Sequence, residues 1–86
     1  MQFTLYSAAF CEPCAQTRAV LKEALRLIPT ASLVELDVAA HGEEAEADFI
    51  RNTPTVVIAK EDGTEVYRAH GVPSLDQVLV GAAKAL

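Results

Sequence analysis

Cys11 and Cys14 are the only two cysteines of the chain, and they stand in the run Phe10-Cys11-Glu12-Pro13-Cys14. Two thiols at this spacing can be a redox pair, half of a zinc site or an inert short-loop disulfide. A tetrahedral zinc site needs four ligands, and the two histidines, His41 and His70, lie far off in the sequence without a knuckle-like spacing. A disulfide closing so short a loop adds little stability. The favoured chemistry is thiol–disulfide exchange, which needs a thiolate. A cysteine at a helix N-terminus is suited to that state, because unpaired backbone N–H groups and the helix dipole stabilise negative charge there. Cys11 is then the exposed nucleophile. Cys14, one turn on and more buried, is placed to attack the resulting mixed disulfide. Pro13 stiffens the turn between them, and Glu12 puts a carboxylate beside the reacting sulfurs that opposes a second negative charge.

The elements that must hold this pair follow from local pattern. Gln2 to Tyr6 reads as a strand through Phe3, Leu5 and Tyr6, and Ser7 to Phe10 as a loop. A helix runs from Cys11 to about Leu27, with Pro13 in the first turn, where a missing N–H is harmless. Its apolar positions, Cys14, Leu21, Ala24, Leu25 and Ile28, recur at helical spacing, and Pro29 ends it. Ser32 to Asp37 is a second strand, built on Leu33, Val34 and Leu36 and followed by Val38. Ala39 to Gly42 is a loop, and Glu43 to Arg51 a short helix with a thin apolar face of Ala45, Phe49 and Ile50. Thr55 to Ala59 is a third strand, Glu61-Asp62-Gly63 a hairpin turn, and Glu65 to Ala69 a fourth strand. Gly71, Val72 and Pro73 break the chain before Ser74, an N-cap for a last helix. In that helix Leu75, Val78, Leu79, Ala82, Ala83 and Leu86 form one apolar stripe. The order is β-α-β-α-β-β-α. Its first half is a parallel, right-handed βαβ unit. A four-stranded mixed sheet with helices on both faces buries all the stripes.

Bulk properties set the bounds. The chain has 86 residues, 51% of them hydrophobic and 22% charged, with a net charge of −5. That is enough for one globular domain, residues 1–86, with one modest core. The acidic balance and the lack of a Lys/Arg cluster disfavour nucleic acid and anionic membranes as partners. The N-terminus has neither the basic start nor the apolar run of a secretory signal. No stretch approaches the ~18 apolar residues of a membrane span. A soluble, cytoplasmic monomer that needs no metal or cofactor is the expectation.

With these elements in place, the chain resembles the thioredoxin and glutaredoxin superfamily along its whole length. Phe10-Cys11-Glu12-Pro13-Cys14 is similar to the Trp-Cys-Gly-Pro-Cys of thioredoxins. Thr53-Pro54-Thr55 resembles their cis-proline segment, which also opens a strand, and Gly71 resembles the glycine bordering their substrate groove. On its own Thr53-Pro54 would read as an ordinary strand-opening proline; paired with the cysteines, the resemblance implies a cis bond facing them. It also implies that Thr53 offers its backbone to an extended substrate strand. Phe10, Pro13, Thr53, Pro54, Gly71 and Val72 would make a flat, mostly apolar docking face, with Glu12 at its edge and turned outward.

The departures matter as much. Leu5 stands where thioredoxins typically carry a buried acid beneath the second cysteine, and Leu33 where they carry a lysine. Losing both members of a buried ion pair is tolerable where losing one is costly. The resolving step is then left without its usual buried base. Against glutaredoxins, the chain lacks Cys-Pro-Tyr-Cys, an upstream lysine and a paired glycine before the last helix, and Glu12 would repel anionic glutathione. Arg51 could reach the groove but reads more simply as a solvated side chain, His70 as exposed and Tyr6 as core. The resemblance implies a thiol–disulfide oxidoreductase acting on disulfide-containing client proteins, with a thioredoxin-reductase-like electron donor. The alternatives are a glutaredoxin-like enzyme for glutathione or other small-thiol mixed disulfides, and a non-enzymatic redox or metal adaptor.

Overall fold

The computed structural model describes all residues, Met1–Leu86. Four strands, β1 (Gln2–Ser7), β2 (Ser32–Asp37), β3 (Thr55–Ala59) and β4 (Glu65–His70), alternate with three helices, α1 (Glu12–Leu27), α2 (Gly42–Ala47) and α3 (Leu75–Ala83). The sheet order is β2-β1-β3-β4. β1 pairs parallel with β2, while β3 pairs antiparallel with both β1 and β4. The expected mixed sheet and element order are what the structure shows.

Strand alternation sorts the side chains onto two faces. Phe3, Leu5, Val56 and Ile58 point to one face and pack with Leu21 and Ala24 of α1 and Val78 and Ala82 of α3. Tyr6 and Val57 point to the other, where Ala45 of α2 covers them with help from Leu36, Val38 and Ile50. Helices therefore lie on both faces, unequally. Thr17, fully buried on α1, is satisfied by donating to the Pro13 carbonyl at 2.9 Å.

Three expectations need correction. The second helix was expected to reach Arg51 but ends at Ala47. Phe49 takes a left-handed φ of +59°. The Phe49 N–H then bonds the Glu46 carbonyl at 3.1 Å and the Ile50 N–H bonds the Ala45 carbonyl at 2.9 Å. This is a Schellman stop made without the usual glycine. In the last helix Ala83 is exposed at the final helical position, and Leu86 is exposed because α3 ends at Ala83 before reaching it. Gly81 is buried instead, and a Cβ there would come 2.5 Å from the Tyr67 ring. Val34, read as an apolar strand position, is 37% exposed on edge strand β2.

Candidate active site

The register puts Tyr6 of β1, Thr55 of β3 and His70 of β4 in one row across the sheet. The loops that leave β1 and β4 and enter β3 therefore gather at one end. They carry Phe10 to Cys11, Gly71 to Val72 and Thr53 to Pro54 respectively.

Cys11 is the N-cap of α1, with extended backbone, and its Sγ accepts the Cys14 N–H at 3.1 Å. One of the free amides of the helix start is thus aimed at the outer sulfur, the arrangement that stabilises a thiolate. Cys11 and Cys14 form a disulfide with Cα atoms 5.2 Å apart. Cys11 is half-buried, while Cys14 is completely buried. Glu12 and Pro13 are exposed. Phe10 is fully exposed and holds a left-handed φ of +56°, an uncommon backbone state for an aromatic residue.

The Thr53–Pro54 bond is cis. Pro54 is buried and Thr53 half-buried. The Pro54 carbonyl accepts the Gly71 N–H at 2.9 Å, and Gly71 has a φ of +80° that suits glycine. The proline loop and the glycine turn are therefore stitched together, with Val72 43% exposed beside them.

Leu5 is fully buried within the apolar cluster, so no acid occupies its position. The parallel register pairs Leu5 with Glu35. Glu35 is gripped by Arg18 through both carboxylate oxygens and accepts the Ser7 hydroxyl at 2.8 Å. The Arg18 guanidinium holds the Glu35 carboxyl below its usual range, outweighing the opposing effect of partial burial. A carboxylate so held is a poor proton acceptor. Sequence reading missed this cluster, since its parts meet only through the β1–β2 register and the placement of α1 over the sheet.

Beneath the proline loop lies a second polar arrangement unread in the sequence. Asp48 accepts the Tyr6 hydroxyl at 2.9 Å and an Arg68 N–H at 2.7 Å, while a further Arg68 N–H bonds the Asp48 carbonyl. Burial, then the bond to Asp48, push the Tyr6 phenol up to about 12. Tyr6 is core, as expected, but its hydroxyl anchors the chain just before Phe49. His70 is exposed, its Nδ1 3.2 Å from the Thr55 hydroxyl. Arg51 is exposed. No cluster of three or more His, Cys, Asp or Glu side chains could hold a metal ion. No helix is long and apolar enough to cross a membrane.

Strand order, crossover and the cysteine pair at the start of the crossover helix together define a protein of the thioredoxin fold. Thioredoxin 1 of Thermosipho africanus matches with a TM-score of 0.84 at 15% identity, covering 98% of this chain and 92% of that one. Oxidised mitochondrial thioredoxin 3 of Saccharomyces cerevisiae matches with a TM-score of 0.80 at 22% identity, covering 99% and 77%. No family model matches. A thioredoxin of Chlamydia muridarum is 30% identical over 74 residues, which are 86% of this chain and 72% of that protein. The chain belongs to the thioredoxin family and, with its close cysteine pair, is a thiol–disulfide oxidoreductase in the general sense.

Proposed function

We propose that the protein reduces disulfides of client proteins by dithiol exchange. The observation that supports this most is the unequal setting of the two sulfurs. Cys11 is accessible and bonded by a helix-start N–H, while Cys14 is completely buried behind it. In the reduced protein the Cys11 thiolate attacks one client sulfur and forms a mixed disulfide, releasing the other as a thiolate. Cys14 then loses its proton and attacks Cys11, which releases the reduced client and leaves the Cys11–Cys14 disulfide. With Leu5 beneath it and Glu35 tied to Arg18, the Cys14 proton passes to water or to the departing thiolate. A thioredoxin-reductase-like donor restores the dithiol. The protein works as a cytoplasmic monomer. The docking face comprises Phe10, Glu12, Pro13, Thr53, Pro54, Gly71 and Val72.

The test is client trapping. Cys14→Ser should accumulate mixed disulfides through Cys11, and limiting iodoacetamide should label Cys11 first in the reduced protein. Preferential labelling of Cys14, or no trapped species with a disulfide-bonded client such as insulin, would overturn the assignment. Faster turnover of glutathione mixed disulfides than of protein disulfides would replace it with the small-thiol reading.

A further inference from the structure

Three surface cavities share one side chain, Arg51. The largest, about 430 Å³, is lined by Phe49, Arg51, Asn52, Arg68 and His70. Another of about 210 Å³ reaches Thr53 and a third of about 370 Å³ reaches Glu46. Arg51 thus sits where the docking loop meets a hollow at the edge of the sheet. The other arginines are engaged: Arg18 with Glu35, Arg26 with Glu23, and Arg68 with Asp48 and Glu65. Arg51 makes no ion pair and no side-chain hydrogen bond. Arg68 is already paired with two carboxylates, so Arg51 is the one cation of this hollow without a counter-ion, in a chain of net charge −5.

The walls are built. The Thr55 hydroxyl donates its one hydrogen to the Asn52 carbonyl at 2.8 Å, so towards His70 it can only accept, from Nδ1–H at 3.2 Å. That chain of bonds ties the imidazole wall to the Asn52 loop. The Asp48 clasp fixes the opposite end of the loop, next to Phe49. What the hollow lacks is a partner for Arg51.

We propose that this hollow is a client-specificity subsite that takes the carboxylate of an Asp or Glu side chain in the client segment. Arg51 is its charge partner, the Asn52 amide a donor and the Phe49 ring an apolar wall. The inference rests on the protein-disulfide reductase reading. Arg51 precedes Thr53 by two positions, and an extended client strand advances about 3.3 Å per residue. The subsite is accordingly assigned to an acid two or three residues from the attacked cysteine, since Arg51 and Thr53 line one cavity. One directly beside that cysteine meets the like charge of Glu12.

The experiment follows single-turnover oxidation of the reduced protein by disulfide-bonded peptides that differ only in Glu, Gln or Lys at that offset. The Glu peptide should react roughly fivefold faster than the Gln peptide, the scale of one exposed ion pair, and the Lys peptide slowest. High salt should shrink the spread. Arg51→Gln should bring the Glu-to-Gln ratio to about one, and Arg51→Glu should favour the Lys peptide. Arg51 is exposed and unbonded, so both variants fold, as circular dichroism would verify. Equal rates for all three peptides with the wild type, or a Glu preference that survives Arg51→Gln, would overturn the subsite while leaving the reductase reading in place. So would equal peptide rates alongside an Arg51-dependent reaction with glutathione disulfide, which would give the hollow to a small thiol. No reaction with any peptide would overturn the reductase reading itself.

Discussion

Beneath α1 and α3 the sheet buries a dry cluster of eight side chains, Phe3 and Leu5 with Leu21, Ala24, Val56, Ile58, Val78 and Ala82. Beneath α2 it buries three, Tyr6, Ala45 and Val57, and adds a polar clasp in which Asp48 is held by Tyr6 and Arg68. The first face carries most of the hydrophobic free energy and holds the helix on which Cys14 is fixed. The second has little area to bury under a helix of 6 residues. Directional bonds there do what area cannot, and hold the Phe49 to Thr53 loop at a set place. One face stabilises and the other positions, so damage to each should read out differently.

Leu5→Asp should have the largest effect, because it puts an uncompensated carboxylate into the dry face. Loss of about 3–5 kcal/mol in urea unfolding is expected. The new base should also speed resolution of a preformed Cys11 mixed disulfide near neutral pH, measured by stopped flow. A wild-type resolution rate that is flat across neutral pH and unaltered by the substitution would mean another group already takes the Cys14 proton. Asp48→Ala should cost less stability, about 1–3 kcal/mol, since it leaves Tyr6 and Arg68 short of a partner. Its larger consequence should be a raised KM for disulfide peptides with kcat little changed. A variant with lowered stability and an unaltered KM would show that the clasp supports the fold without placing the loop.

The smallest effect concerns alkaline pH. The fold favours protonated Tyr6, whose phenol is pushed up to about 12 from the ordinary value near 10. Its contribution is full below about pH 10, where the unfolded chain keeps its proton. It is lost as the pH rises through the folded value. Tyr6→Phe should cost about 1 kcal/mol at neutral pH and flatten the alkaline limb of the stability profile. An unchanged limb would assign the pH dependence to another group, with half-buried Tyr67, also raised by burial, the next to examine.

Local pattern determined much of this molecule. Ser32–Asp37 and Thr55–Ala59 are strands at the bounds read from their side chains. Cys11 caps α1, with Pro13 in the first turn and the apolar spacing behind it. Ser74 caps α3 in a reciprocal bond with Gln77. Such features depend on neighbours a few positions away, so the order of residues contains them. The tertiary structure alone decided how α2 ends, since Phe49 adopts a backbone state its type disfavours. It also decided that Gly81 must lack a side chain to pass Tyr67, and that Tyr6 meets Asp48 across a separation of 42 residues. Glu35 joins Arg18 and Ser7, and Arg51 overlooks a hollow walled by His70, only because β1 pairs with β2 on one side and β3 with β4 on the other. Those meetings rest on register and crossover, and a polar side chain read along the chain carries no mark of the partner that folding brings to it.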